Sequence, residues 1–362
     1  MSQYLDLTIH AIEHPTADSI CLFFEEPSEG ISYQAGQFLT LIVDIDGQSV
    51  RRSYSLCSSP GLDPHPAVGI KRVHDGLMSN YLNDEAKPGM TIRAMKPLGN
   101  FSVEPARHNT RHVVLLGGGS GITPLLGIGK TILAQEPGSQ VSLVYANRNE
   151  ENVMFAREWE TLKDQYSDRL TVLHILDEPS PNWQGLSGLL TPGRLVEILK
   201  QLPNLGVHNT EYYICGPGGL MEIYQTALDT LGIPGDRQKR EVFASSPTQP
   251  TSRTHTQENI QITEDMAEDP NKAYEVTIIL DGEEHSFTVE PGYSILETGL
   301  DEGIDIPYSC QSGLCTACRG KLLSGKVTMD ETEGLSDEEM EEGYVLNCVG
   351  HPVTEGVRIE IG

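Results

Sequence analysis

Four cysteines near the end of the chain have a spacing suited to binding iron. Cys310, Cys315 and Cys318 fall within nine residues, in the stretch YSCQSGLCTACRG, and Cys348 follows after 29 intervening residues. This C-x4-C-x2-C…C spacing is one of the ligand spacings of 2Fe–2S clusters. Zinc matches less well because zinc ribbons pair two C-x2-C knuckles, and disulfides are disfavoured in a reducing compartment. We therefore predict a 2Fe–2S cluster, with zinc and a disulfide as the alternatives.

A glycine-rich stretch has the composition of a phosphate-binding loop. LLGGGSGITP, which contains Gly117, Gly119 and Thr123, follows a predicted buried strand and opens a predicted helix. Glycine lets a phosphate approach the backbone closely, and helix N-termini attract anions. The stretch is not a Rossmann G-x-G-x-x-G, because Ile122 occupies the third glycine position, and it is not a Walker A loop, because Pro124 stands where that loop needs glycine.

Three shorter motifs are weak on their own. RSYS, from Arg52 to Ser55, could be an ordinary strand with one exposed arginine and one packed tyrosine. HDGLMSNYL, with Gly76 and Ser79, could be an ordinary capped helix, and CGPGGLM, beginning at Cys215, could be only a turn. Their order along the chain gives them weight.

The elements that must position these residues fall into three segments. Residues 1–106 contain short strand-like runs separated by Gly, Pro and Asp turns, which predicts an antiparallel β-barrel. Residues 107–245 alternate strands with helices of about 10–15 residues, which predicts an α/β domain with a doubly wound parallel sheet. Residues 246–272 have the polar composition of a linker. Residues 273–362 resume strand and helix patterns, with a hairpin predicted at Asp281-Gly282 and a strand pair in GKLLSGKVTM.

Charge and hydropathy exclude some function classes. The formal net charge is −27, so binding to nucleic-acid phosphates is not expected. Residues 271–362 carry 19 acidic and 5 basic residues, a composition that suits either solubility or docking to a basic partner. The chain has no apolar run long enough to span a membrane and no N-terminal signal pattern, which predicts a cytoplasmic protein. Cys21 and Cys57 are interpreted as small core residues.

Together, these motifs resemble the ferredoxin–NADP reductase superfamily, here with a C-terminal plant-type ferredoxin domain of the β-grasp type. The resemblance implies that the Arg52 side chain contacts a flavin phosphate, that Tyr54 packs on the flavin ring, and that Ser55 bonds the ring nitrogen that accepts hydride. Gly76 and Ser79 match the segment that binds a pyrophosphate, which favours FAD over FMN. REVF, which ends at Phe243, resembles an E-x-F element that lies near the flavin in this superfamily, and an ordinary core residue is the alternative for Phe243.

The same resemblance assigns the nicotinamide site. Gly117, Gly119 and Thr123 match its dinucleotide loop, and Cys215 matches the cysteine beside the transferred hydride. The rest of that motif is Gly216, Pro217 and Met221. Asn147 and Arg148 end the second strand of the domain, where the preference for adenosine 2′-phosphate is set. Arg148 predicts NADPH, Glu150 and Glu151 nearby count against it, and NADH is the alternative.

The order of flavin, nicotinamide and ferredoxin segments resembles the reductase components of the phenylacetyl-CoA oxygenase and ketosteroid hydroxylase type. This resemblance implies an NAD(P)H-dependent oxidoreductase that passes electrons through FAD and a 2Fe–2S cluster, with Ser55 and Cys215 at the hydride-transfer site. The acceptor would be an oxygenase component or another one-electron acceptor protein, such as a hydroxylase or desaturase. A flavin and iron–sulfur redox sensor is the alternative of a different class.

Overall fold

The computed structural model describes residues 4–28, 30–203, 206, 209–243 and 272–361. The chain divides into two compact units, the first ending at Phe243 and the second holding residues 272–361 of the described chain. The predicted boundary at residues 106 and 107 lies inside the first unit and stays a prediction. The predicted linker, residues 246–272, lies outside the described residues apart from Lys272.

A curled antiparallel sheet forms the first part of the chain, in the order β4-β3-β6-β1-β2-β5. Its strands are β1 (Tyr4–Thr16), β2 (Ser19–Phe24), β3 (Phe38–Ile45), β4 (Gln48–Ser55), β5 (Ala67–Lys71) and β6 (Thr91–Met95). Leu56, directly after β4, bridges Val68 in β5, so the two edge strands are joined and the sheet closes into the predicted barrel. Leu5, Leu7 and Ile9 alternate inward along β1 and are buried.

A parallel six-stranded sheet follows, in the order β10-β9-β8-β7-β11-β12. Its strands are β7 (His112–Gly118), β8 (Gln140–Asn147), β9 (Leu170–Leu176), β10 (Leu186–Ser187), β11 (Thr210–Gly216) and β12 (Gln238–Val242). Near-continuous apolar runs such as HVVLL make β7 buried throughout, as expected for a sheet that is covered on both faces. The predicted α/β fold is confirmed.

Helices cover both faces of this sheet, and one helix packs on the barrel. They are α1 (Leu77–Glu85), α2 (Ile122–Gln135), α3 (Ala156–Gln165), α4 (Pro192–Leu199) and α5 (Gly218–Thr230). Met78 and Leu82 of α1 join the barrel core. The apolar residues of α2 and Trp159 of α3 join one core cluster, while those of α4 and α5 join a second cluster. Because parallel strands share one direction, the loops after them meet at a single edge.

The second unit has a five-stranded sheet in the order β14-β13-β19-β15-β17 and a two-stranded sheet β16-β18. Its elements are β13 (Tyr274–Leu280), β14 (Glu283–Val289), α6 (Ile295–Asp301), β15 (Arg319–Ser324), β16 (Val327–Met329), α7 (Asp337–Glu341), β17 (Tyr344–Leu346), β18 (Gly350–Pro352) and β19 (Val357–Ile361). Asp281 and Gly282 have φ of 50° and 85° and join β13 to β14, which confirms the predicted hairpin.

Two details concern predictions made from the sequence. GKLLSGKVTM was expected to form a strand pair, but β15 pairs with β17 and β19, whereas β16 pairs with β18. The reason is Gly325, which has φ of 81° and turns the chain away from β15 at close range to Val357. Cys21 and Cys57 are buried as predicted, with their sulfur atoms 3.4 Å apart.

None of the helices in the described ranges has both the length and the apolar character that crossing a membrane requires.

Candidate cofactor sites

The end of β4 lies beside the carboxyl edge of the parallel sheet. The Ser55 hydroxyl is buried and donates a hydrogen bond of 2.9 Å to Oε2 of Glu241 in β12. Glu241 pairs in register with Cys215 of β11, which in turn pairs with Gly117 of β7. Residues distant in the sequence therefore form one row: Ser55, Glu241, Cys215 and the start of the glycine loop.

Burial determines how the Glu241 carboxyl and the Cys215 thiol are protonated near neutral pH. Desolvation raises the pKa of the Glu241 carboxyl to about 8, although the hydrogen bond from Ser55 lowers it. Desolvation, with the Glu241 charge adding to it, also raises the pKa of the Cys215 thiol well above its ordinary value. Cys215 is thus a neutral thiol at neutral pH, not a nucleophilic thiolate. Glu241 is the titratable group of this site close to neutrality.

Arg52 and Tyr54 are half-buried on β4. The Nη1 atom of Arg52 donates a hydrogen bond of 2.7 Å to the carbonyl oxygen of Arg51. Desolvation raises the pKa of the Tyr54 phenol, which stays neutral and packs against the barrel core. The aromatic ring and the guanidinium therefore have the chemistry that a flat ring and a phosphate need.

The turn before α1 is shaped by Gly76 and Ser79. The Ser79 hydroxyl is buried, accepts from the backbone N–H of Val73 at 3.1 Å and donates to the carbonyl of Gly76 at 3.4 Å. A Cβ on Gly76 would lie 2.6 Å from that hydroxyl, so glycine is required there. No side chain caps the helix and no acidic residue lies in its first turn, which leaves its amides suited to an anion.

Two glycines of the glycine loop are packed too tightly for a side chain. A Cβ on Gly121 would lie 2.1 Å from the carbonyl oxygen of Cys215, and one on Gly118 would lie 2.2 Å from Leu220. Gly119 has φ of 52° and open space where its Cβ would be. Two buried tyrosines support the loop from behind: Tyr145 donates to the carbonyl of Gly119 at 2.8 Å and Tyr224 to that of Gly117 at 2.7 Å.

A cavity of about 460 Å³ opens at this edge of the sheet. Its lining includes several predicted site residues and one barrel residue: Gly118, Gly119, Asn147, Arg148, Pro217 and Lys71. Arg148 is exposed, and its Nε donates to Oε2 of Glu178 at 2.9 Å, a partner that the sequence did not indicate. The size and the glycine lining fit part of a dinucleotide.

Three predicted residues lie elsewhere. The Thr123 hydroxyl donates to the carbonyl of Ser120 at 2.8 Å, and its side chain faces Gly69 of the barrel. Met221 is partly buried and packs against the core cluster of α4 and α5, whereas Leu220 lines the cavity. Phe243, at the end of the first unit, is 37 % exposed. Gly216 ends β11 directly against Gly118.

Sequence reasoning missed Glu241. Only Phe243 was taken from the REVF stretch as a site residue, although the E-x-F element that this stretch resembles begins at Glu241. That element was the signal that could have found the glutamate.

The four cysteines of the second unit lie close together. Cys310 hydrogen-bonds to both Cys315 and Cys348, and Cys348 also hydrogen-bonds to Cys318. Hydrogen bonds from Cys315 and Cys348 lower the pKa of Cys310, while hydrogen bonding to Cys310 raises the pKa of Cys315 and of Cys348. These contacts link the four thiols in the order Cys315, Cys310, Cys348 and Cys318, so all four lie around one space, as the thiolate ligands of one 2Fe–2S cluster must.

A buried hydroxyl in the cysteine loop bears on what the four thiols could hold. The hydroxyl of Thr316 is buried in this loop and finds no hydrogen-bond partner among the described residues. An orphaned donor beside four thiols is what a cluster with additional sulfur acceptors would satisfy.

The loop around the cysteines is constrained by glycine. Gly313 has φ of 74°, and its Cβ would meet Glu331 at 2.6 Å. Gly334 donates its N–H to the carbonyl of Gly313 at 2.8 Å, and its own Cβ would lie 2.8 Å from the backbone nitrogen of Cys315. The segment after β16 therefore packs directly on the cysteine loop and fixes its shape.

Comparison with known proteins agrees with these three sites. Residues 6–103 match the oxidoreductase FAD-binding domain, residues 115–226 the oxidoreductase NAD-binding domain, and residues 278–353 the 2Fe-2S iron-sulfur cluster binding domain. The chain is 38 % identical to the ferredoxin reductase component of 3-ketosteroid-9-alpha-monooxygenase from Rhodococcus rhodochrous, over 99 % of this chain and 97 % of the relative. This chain belongs to the ferredoxin–NADP reductase superfamily.

Other relatives place this reductase among those with a C-terminal 2Fe–2S domain. It is 33 % identical to a component of the 1,2-phenylacetyl-CoA epoxidase from Escherichia coli (strain K12), over 99 % of this chain and 98 % of the relative. Phthalate dioxygenase reductase has the same fold, with a TM-score of 0.58 at 23 % identity, covering 99 % of this chain and 98 % of that one. The reductase is thus an NAD(P)H oxidoreductase that passes electrons through FAD and a 2Fe–2S cluster.

Proposed function

We propose that this reductase supplies electrons to a separate oxygenase component of the phenylacetyl-CoA or ketosteroid type. The observation that carries the proposal is the end-to-end similarity to components of two such systems, 38 % and 33 % identical. A cytoplasmic location follows as part of the proposal, because thiols that bind iron must stay reduced.

FAD, when bound, accepts a hydride and releases electrons singly, which a nicotinamide and a 2Fe–2S cluster cannot do between themselves. Ser55, at the end of β4, is assigned to hydrogen-bond the ring where the hydride arrives. Glu241 holds the Ser55 hydroxyl at 2.9 Å and, when protonated, leaves that hydroxyl free to donate. The neutral Cys215 side chain lies beside the transfer site and excludes water from it.

The remaining roles follow the family resemblance and agree with the chemistry of the side chains. Arg52 would contact a flavin phosphate, Tyr54 would stack on the ring, and the amides after Gly76 would hold the pyrophosphate. Gly119 and its neighbours bring the backbone to the nicotinamide nucleotide. Thr123 fixes the start of α2 against the barrel through Gly69, so its role is positional. The four cysteines hold the 2Fe–2S cluster: Cys310, Cys315, Cys318 and Cys348.

We assign the acidic segment 330–342 to partner docking. Eight of its 13 residues are acidic and none is basic. Glu339 contacts Arg319, whereas Asp337, Glu338, Glu341 and Glu342 are exposed on or beside α7. The segment packs on the cysteine loop through Gly334, so a basic partner docked there would lie near the cluster.

The test separates the flavin from the cluster. Cys348→Ser removes one cluster ligand and should abolish reduction of cytochrome c by NAD(P)H while leaving most reduction of ferricyanide, which accepts electrons from the flavin. Cys21→Ala is the matched control, since it removes a buried thiol outside the cysteine loop, and it should keep both activities. Equal loss of both activities in Cys348→Ser would contradict the order of transfer.

Docking has its own experiment. Glu338→Lys combined with Glu341→Lys should slow reduction of a purified oxygenase about tenfold at low salt, with ferricyanide reduction unchanged, because electrostatic steering acts on protein association. The control is Glu283→Lys on β14, an exposed acid in another sheet strand. If no oxygenase of either type accepts electrons, the redox-sensor alternative gains support.

A further inference from the structure

The adenosine end of the nucleotide site can be located from the strand order. Hydride transfer is assigned to Cys215 at the end of β11, and β9 lies three strands away through β7 and β8. At about 4.8 Å per strand this is roughly 14 Å, on the scale of an extended dinucleotide. The cavity reaches this end, where Asn147, Arg148 and Asp177 line it.

The cations at this end are already paired with acids. Arg148 donates from Nε to Glu178 at 2.9 Å, and Lys71 lies 3.5 Å from Asp18. Asp177 adds a third carboxylate to the cavity lining. Arg194 is close enough to Asp177 for its charge to oppose the raised pKa of that carboxyl, so three cations face three carboxylates and no cation is in excess.

The backbone holds these acids in place. The N–H of Asp177 donates to the carbonyl of Asn147 at 3.0 Å, and the N–H of Glu178 donates to that of Arg148 at 2.7 Å. The turn after β9 is thus hydrogen-bonded to the turn after β8. A ligand that drew the Arg148 guanidinium away would leave the Glu178 carboxylate beside it.

This arrangement discriminates between the two nicotinamide nucleotides. A 2′-phosphate carries nearly two negative charges and needs an excess of cations, which this end lacks. A ribose 2′-hydroxyl is neutral and can donate to a carboxylate such as Asp177.

We infer that Glu178, by holding Arg148 and by its own charge, excludes the 2′-phosphate, so that NADH is the hydride donor. The inference rests on the proposed function, because it concerns the nucleotide site of that reaction. It reverses the sequence-based expectation of NADPH, which considered Arg148 without its partner. Glu178 is a specificity-determining residue and touches no reacting atom.

The experiment compares flavin reduction by NADH and by NADPH in the holoprotein. The wild type should have a higher kcat/KM with NADH. Glu178→Gln keeps the shape of the side chain, removes its charge and frees Arg148. The ratio of kcat/KM for NADH to that for NADPH should then fall about tenfold, because Arg148 can make one charge-assisted hydrogen bond to the 2′-phosphate of NADPH. The change should lie in the KM for NADPH and not in kcat, because the 2′-phosphate is remote from the transferred hydride. A merely structural role would alter both nucleotides equally.

Two further variants keep the result interpretable. Glu197→Gln removes an exposed acid that is ion-paired with Lys200 on α4 and should leave the ratio unchanged. The double variant Arg148→Ala/Glu178→Gln should lose the improvement in kcat/KM for NADPH that Glu178→Gln alone produces. A wild type that prefers NADPH, or a Glu178→Gln ratio equal to that of the wild type, would overturn the inference while leaving the reductase function intact. Failure of both nucleotides to reduce the flavin would instead overturn the proposed function.

Discussion

Replacing Glu241 with glutamine tests whether hydride transfer depends on the protonation state of the Glu241 carboxyl. The carboxyl is desolvated, its pKa is raised to about 8, and it accepts the Ser55 hydroxyl at 2.9 Å. Below that pH Glu241 is protonated and can donate to the Ser55 oxygen, which frees the hydroxyl proton for the flavin ring. Above that pH, the Glu241 carboxylate accepts a hydrogen bond from the Ser55 hydroxyl. Its negative charge then lies beside the flavin ring, which itself gains negative charge when it accepts the hydride.

The size of the effect follows from the pKa. A group with a pKa of about 8 is roughly 90 % protonated at pH 7 and roughly 10 % at pH 9. If only the protonated form supports hydride transfer, the rate of flavin reduction should fall about tenfold over this range. Glu241→Gln mimics the protonated state at every pH and should have a nearly flat profile.

The assay is stopped-flow flavin reduction by saturating nucleotide between pH 6 and 9.5, at constant ionic strength. Glu104→Gln provides the control, because Glu104 is an exposed acid of the same unit whose carboxylate accepts from Gln34 at 3.2 Å. It should keep the wild-type profile. A flat profile in the wild type, or an unchanged slope in Glu241→Gln, would refute the reasoning.

Three other changes have expected outcomes. Arg111→Met should lower the free energy of unfolding by about 3–5 kcal/mol in urea titrations, because it leaves the fully buried carboxylate of Glu136 without its cation; an unchanged urea midpoint would contradict this. Gly121→Ala should raise the nucleotide KM more than about tenfold while FAD absorbance persists, since its Cβ would lie 2.1 Å from the Cys215 carbonyl; wild-type KM would show that the loop yields. Thr316→Val should lower the cluster potential in an EPR-monitored titration, because a buried donor is lost, and an unchanged potential would mean that the hydroxyl does not bond the cluster.

The sequence predicted the folds of the three segments because their signals are local. Inward alternation along β1 and the continuous apolar run of β7 distinguish a barrel strand from a parallel strand. Asp281-Gly282 specifies its hairpin through two positive φ angles, which few other residue pairs tolerate. The cysteine spacing is equally local, apart from Cys348.

The sites were less predictable because they depend on pairs distant in the chain. Ser55 and Glu241 are 186 residues apart and meet only after the barrel packs against the parallel sheet. Arg148 and Glu178 are 30 residues apart and meet because β8 and β9 are neighbours. A sequence motif identifies the residue that carries the chemistry, but the residue that pairs with it and determines its charge state is brought there by the tertiary structure. Met221 shows the converse, since this residue lies inside a motif but packs against a hydrophobic core and not in the cavity lining.

The tyrosine hydroxyls behind the glycine loop have a consequence for turnover. Because Tyr145 and Tyr224 already engage the carbonyls of Gly119 and Gly117, the loop is ordered before any nucleotide arrives. Ordering a flexible glycine segment would cost conformational entropy, about 1–2 kcal/mol for each residue fixed. A preorganised loop spares the nucleotide that penalty, so affinity need not come from many strong contacts, and the spent, oxidised nucleotide can leave quickly to make way for the next electron pair.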